Sequence, residues 1–185
     1  MADWQNSTAL IVVDVQKGFD DESHWGERNN PDCEENIAIL IGAWRKEGWP
    51  LVYVRHDSET AGSPLRAGSA GNEFKDVIDG KPDLLVTKSV HSAFYGDPDL
   101  DAWLKDNGIT AVAICGIQTN MCCDTTARMA SDLGYDVMFV IDATHTFDIQ
   151  APNHQVYRAR EIARFTALNL AADFAKVVQT RELAG

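Results

Sequence analysis

Residues 111–143, AVAICGIQTNMCCDTTARMASDLGYDVMFVIDA, decide how this chain is read. The apolar run Ala111–Cys115 breaks at Gly116–Ile117–Gln118, a helical segment follows, Gly134 stops it, and Val137–Ile141 is a second apolar run. Two short runs without polar alternation, joined by a helix, make a strand–helix–strand unit of a parallel sheet covered on both faces. The turn delivers Cys122 close to the first turn of the helix. Unpaired backbone N–H groups and the positive end of the helix dipole there favour thiolate over thiol. The expectation is a cysteine nucleophile.

The same alternation continues on either side. Thr8–Val15 (TALIVVDV) reads as a buried strand with Asp14 at its carboxyl end, followed by a polar loop 19–30 carrying Phe19, His24 and Trp25. Asp32 and Glu35 have the spacing of a capping box. A helix with Ile37, Leu40, Ile41 and Trp44 on its apolar stripe follows, and Gly48 ends it. Leu51–Val54 is the second strand and exits into Arg55, His56 and Asp57; Leu84–Thr87 is the third and ends at Lys88, before a loop with His91, Phe94 and Tyr95. Asp97–Pro98 predicts a helix start with proline at its first position. After the central unit come a loop 142–148 with His145 and Thr146, and a long helix over Ala151–Leu170 with Val156, Ile162, Ala163 and Phe165 inward. Ala175–Gln179 is a sixth strand. The expectation is an α/β protein: one domain over residues 1–185, built as a three-layer α/β/α sandwich around a mainly parallel six-stranded sheet. Right-handed crossovers then bring Asp14, His56, Lys88 and Gly116 to one sheet edge.

Composition narrows the function classes. A net charge of −12 argues against nucleic-acid or anionic-membrane partners. No apolar run approaches the roughly 20 residues of a membrane helix. The opening MADWQNST lacks a basic-then-apolar pattern, so a cytoplasmic location is expected. Cys33, Cys115, Cys122 and Cys123 form no CxxC pair and are read as free thiols, with Cys33, Cys115 and Cys123 structural. The Gly/Ser/Pro-rich stretch 60–71 has neither dinucleotide nor P-loop spacing; its length suggests a lid or an oligomer contact.

As a set, Asp14, Lys88 and Cys122 suit nucleophilic catalysis. Asp14 takes the thiol proton and passes it to the leaving group, while Lys88 favours both anionic forms. Backbone N–H groups of Gln118 and Cys122 are candidates for an oxyanion hole. The segments VVDVQKGF, TKSVHSAFYG, GIQTNMCCDTTARMASDLGYDV and VIDATHTF resemble, in order and spacing, the signature segments of the isochorismatase-like cysteine hydrolases. The resemblance implies that family's fold and its aspartate–lysine–cysteine triad, falling on Asp14, Lys88 and Cys122. It also implies a non-proline cis peptide at Ile117–Gln118 that aims two amides into the oxyanion hole. Cys123 stands where the family usually has valine. Metal-binding nicotinamidases of this superfamily carry an Asp-x-His pair after the second strand; Arg55–His56–Asp57 departs from it, so neither metal nor cofactor is expected. Phe19, Trp25, His56, Phe94, Tyr95 and His145 are the expected substrate-binding side chains. The expected activity is hydrolysis of a C–N bond in a small amide, ureide or lactam through a covalent Cys122 intermediate, in a homo-oligomer of two or more chains. The alternatives are an isochorismate-type vinyl-ether hydrolase, a non-catalytic metabolite-binding member and a thiol redox protein.

Overall fold

The computed structural model describes residues 7–185, so most of the polar N-terminal stretch read above lies outside the described residues. In chain order the elements are β1 (Thr8–Val13), α1 (Glu22–Trp25), α2 (Cys33–Glu47), β2 (Leu51–His56), β3 (Leu84–Lys88), α3 (Leu100–Asp106) and β4 (Ala111–Ile117). A π-helical turn at Thr119–Cys123 leads into α4 (Asp124–Asp132). Then follow β5 (Asp136–His145), β6 (Ile149–Gln150), β7 (Val156–Tyr157), α5 (Ala159–Asp173), β8 (Lys176–Val178) and α6 (Thr180–Ala184).

Six strands form one sheet in the order β3-β2-β1-β4-β5-β8, and every pairing in it is parallel. β1 and β4 are buried at every position, as central strands covered on both faces must be. Alternate residues of β1 feed opposite cores. Ala9, Ile11 and Val13 pack with Leu100, Leu104, Ala127 and Leu170 from α3, α4 and α5. Leu10 and Val12 pack with Ile37, Leu40 and Trp44 from α2. Trp44 is fully buried, and its Nε1 donates to the Thr8 carbonyl at 3.2 Å, so the indole fills the core without an orphaned donor.

Three local expectations are corrected. Asp32 precedes α2 but makes no side-chain cap, because its ψ of 4° is not the extended backbone that aims a cap side chain at the helix amides. α3 begins after Pro98, with Asp99 as its cap accepting from Ala102 N. Asp97 exchanges both backbone bonds with Thr87 at 2.9 Å, which makes it an extended bridge residue. The helix expected from Ala151 starts only at Ala159; before it the β6–β7 hairpin turns through Pro152 and Asn153 to His154, whose φ is +66°. Val156 and Phe165 are accordingly exposed, while Ala163 is buried. The C-terminal residues form α6, whose Leu183 is buried in the α2 core. The 60–71 stretch is pinned at several points: Leu65 is buried, and Asn72 Nδ2 donates to the carbonyls of Leu65 and His56.

Candidate active site

The carboxyl ends of β1, β2, β3 and β4 converge as the topology requires. Asp14 leaves β1 with φ +52°, a left-handed backbone rarely adopted by non-glycine residues and found where surrounding structure imposes it. Its Oδ2 accepts from Lys88 Nζ at 2.7 Å, both side chains being at most 1 % exposed. Asp14 Oδ1 has no hydrogen-bond partner among the described residues. His56 and Lys88 are register partners on β2 and β3, and Lys88 Nζ lies 3.2 Å from His56 Nδ1. Cys122 offers its sulfur within 4.8 Å of an Asp14 oxygen and a His56 ring nitrogen.

The turn carrying the cysteine is built by close approach. Gly116 has φ +127°, and a Cβ there would sit 2.0 Å from the Val13 carbonyl oxygen, so only glycine lets β4 pass β1 here. The Ile117–Gln118 peptide is cis. The Gln118 carbonyl accepts from the amides of Met121 and Cys123, both at 3.2 Å, and Thr119 Oγ1 bonds Thr144 Oγ1 at 2.9 Å.

Electrostatics correct the expectation of a resting thiolate. Burial pushes the Cys122 thiol above its ordinary range, the Asp14 charge adds to this, and Lys88 opposes both. Cys122 lies in the π-helical turn ahead of α4 and is 8 % exposed, and desolvation is the largest influence on its thiol. Lys88 is also desolvated, yet the Asp14 carboxylate more than offsets this and holds the ammonium above its usual range. His56 is held down by burial and then by the neighbouring ammonium. The other three thiols, Cys33, Cys115 and Cys123, are buried and unpaired, as expected of structural cysteines.

Two residues escaped the sequence reading. Gln16 brackets His56, its Nε2 donating to the His56 carbonyl at 3.0 Å and its Oε1 accepting from His56 N at 2.8 Å. Asn72 donates to the same carbonyl at 2.9 Å. The DVQ spelling hinted at Gln16; nothing in the 60–71 stretch pointed to Asn72.

The residues do not suit a catalytic metal. Arg55 is paired with Asp57 at 2.8 Å, and His56 faces an ammonium. Among the described residues, the one group of three ligand types that converges is Asp14, His56 and Cys122. Lys88 bonds two of its members, so a dication would meet a fixed positive charge. No step is routed through a metal.

The expected substrate side chains divide into three places. Phe19, Trp25 and His145 gather around Phe147 on the α2 face, with Phe19–Trp25 centroids 5.0 Å apart and His145–Phe147 centroids 5.2 Å apart. Phe94 stacks on Tyr135 on the opposite face, at 6.0 Å. Tyr95 is exposed and lines a cavity of about 640 Å³ together with Lys88, Asp57, Ser58, Arg66 and Asp97. A roomier cleft, about 830 Å³, opens beside Tyr135, Phe174 and Lys176 and contains none of Asp14, Lys88 or Cys122.

Comparison with known proteins agrees with this geometry. The isochorismatase domain model matches residues 8–181. The chain is 38% identical to an uncharacterized isochorismatase family protein, YrdC of Bacillus subtilis, over 97% of this chain and 95% of that one. It is 30% identical to Nicotinamidase 3 of Arabidopsis thaliana, over 95% of this chain and 86% of that one. The crystal structure of a cysteine hydrolase from Pseudomonas syringae superposes with a TM-score of 0.87 at 26% identity, covering 97% of this chain and 92% of that one.

Proposed function

This chain belongs to the isochorismatase family and is a hydrolase, and from that premise we propose that it cleaves a C–N bond of a small amide, ureide or lactam through a covalent intermediate on Cys122. The observation that carries the reading is the buried Asp14–Lys88 pair beside the Cys122 thiol, with one aspartate oxygen left without a partner. Similarity to a nicotinamidase supports an amide as the scissile group.

The chemistry follows from the resting charges. Because Cys122 is held as a thiol, it needs a base at the moment of attack. Asp14 Oδ1 takes the proton as the sulfur adds to the substrate carbonyl. Lys88 stays on Oδ2 and faces the sulfur, stabilising the negative charge that passes between them. Backbone N–H groups of Gln118 and Cys122 hold the tetrahedral oxyanion; removing one such donor typically slows a reaction by about 10²–10³. Collapse breaks the C–N bond, and the proton on Asp14 leaves with the amine, giving a thioester. Water, deprotonated by Asp14, attacks the thioester, and the acid departs as the thiol is restored. Of the expected substrate contacts, His56 touches Lys88 and Tyr95 lines a cavity that Lys88 also lines, with the Phe19–Trp25–His145 group on the α2 side.

The test is ammonia or amine release from a panel of small amides and ureides, with acid-quenched intact mass spectrometry to capture the acyl adduct. Wild type accumulates an adduct on Cys122, and Cys122→Ala neither forms it nor turns over. Turnover that survives in Cys122→Ala overturns the reading; if the surviving substrate is isochorismate, the vinyl-ether reaction replaces it.

A further inference from the structure

We infer that His56 is a positioning residue of this centre: its Nδ1 takes one N–H of Lys88, which directs another onto the Cys122 sulfur and keeps the ammonium off Asp14 Oδ1. The inference rests on the proposed triad.

An ammonium has three donors and no acceptor. At 3.2 Å from Lys88 Nζ, His56 Nδ1 must therefore be the acceptor, which places the ring proton on Nε2. Asp14 Oδ2 takes a second N–H at 2.7 Å. Those two anchors come from different places, one just past the end of β1 and one at the end of β2, and fix the ammonium about its terminal bond. The third N–H is left for the sulfur, and Lys88 and Cys122 do act on each other's ionisation.

Lysine has a flexible stem and a freely rotating head. Without the histidine, Nζ is free to swing across the carboxylate and bond Oδ1, covering the oxygen that receives the thiol proton. The observed state is the productive one, with Oδ1 unpartnered. The acceptor itself is well anchored. Gln16 bonds the His56 amide and carbonyl, Asn72 bonds the same carbonyl, and the His56–Lys88 register sets the two side chains abreast. That anchoring exceeds what a lone histidine at a strand end needs.

Only the neutral ring can do this. The charged or titratable groups facing His56 are Lys88, Asp14, Cys122, His91 and Asp57. Burial and the ammonium favour the neutral form and outweigh the carboxylate.

The test is the rate of Cys122 alkylation by iodoacetamide, read by peptide mass spectrometry across a pH series. The proteins are wild type, His56→Leu, His56→Gln, His56→Asn and Lys88→Ala, with circular dichroism to verify folding. His56→Leu removes the acceptor, and His56→Gln carries it beyond the Nδ1 position. Both slow Cys122 alkylation at pH 8 about tenfold, the scale of one charge-assisted hydrogen bond, towards the Lys88→Ala rate. His56→Asn places an amide oxygen where Nδ1 stood and restores most of the rate, which a merely structural role would not produce. Should His56→Leu fail to fold, the glutamine and asparagine pair decides. Wild-type rates in the leucine and glutamine variants, or equal slowing in all three, overturn the inference while the triad stands. A rate in Lys88→Ala equal to wild type overturns both.

Discussion

At the scale of single residues, Asp14 does two opposed things to Cys122. Its charge helps hold the thiol protonated at rest, and its free Oδ1 is the base that removes the proton during attack. Resting reactivity and catalytic competence therefore separate on substitution. Asp14→Asn removes the charge and leaves an amide that cannot accept the proton. Turnover is expected to fall by about 10²–10⁴, the usual contribution of a positioned general base. Cys122 alkylation by iodoacetamide at pH 8 is expected to become faster than in wild type, because one of the two influences raising the thiol is gone. Parallel assays of turnover and labelling rate check this; a variant slow in both contradicts the electrostatic account. Lys88→Ala behaves in the reverse sense and slows labelling, since it removes the ammonium that pulls the thiol down.

At the scale of elements, two glycines in regular structure make contrasting cases. Gly116 in β4 has Val13 backbone atoms at 2.0 and 2.7 Å from any Cβ, and its φ is +127°, so Gly116→Ala forces β1 and β4 apart beneath the nucleophile's turn. A loss of at least about 3 kcal/mol is expected, at the upper end for overpacking a core. Gly42, inside α2, has nothing within 4 Å of the same atom, and Gly42→Ala is expected to stabilise by about 0.5–1 kcal/mol through helix propensity. Urea midpoints check both. The same local physics explains what was legible in the sequence. Strands β1, β2, β3, β4, β5 and β8 announced themselves as apolar runs, and topology then placed Asp14, His56, Lys88 and Cys122 together. The β6–β7 hairpin was missed because Val156, Ile162, Ala163 and Phe165 fall at helical spacing by chance, and only Pro152 signals the break. Gln16 and Asn72 act through side-chain bonds to the backbone of β2, and such bonds leave no period to read. The resting state of Cys122 escaped too, since it depends on depth of burial rather than on position along the chain.

At the scale of the whole molecule, acid stability is expected to depend on two groups on the α2 side that titrate in different windows. Glu34 pairs with Lys75 and Arg28, each at 2.6 Å, and Lys75 reaches on to Asp20, so four segments are tied into one ion-pair network. Burial works against the Glu34 charge, but Arg28 and Lys75 more than offset it and bring its pKa from 4.5 down to about 2. His145, 3.9 Å from Glu34, is fully buried, neither ring nitrogen has a hydrogen-bond partner among the described residues, and burial brings its pKa from 6.5 to about 3. Both folded-state values lie below the unfolded ones, so in each window the unfolded chain binds more protons and stability falls with falling pH. The His145 contribution is intact above pH 6.5 and is lost between there and about 3. The Glu34 contribution is intact above pH 4.5 and is lost on the way down to about 2. Urea titrations at half-unit steps are therefore expected to show a slope beginning near pH 6.5 and steepening below 4.5. His145→Phe flattens the upper part alone, because the ring is replaced by one that takes no proton. Glu34→Gln flattens the lower part alone, at a reduced overall stability that reflects the loss of a charged partner for Arg28 and Lys75. If both variants keep the wild-type slope, the acid limb belongs to the surface carboxylates of a chain with net charge −12, and the buried network is a passive tie between loops.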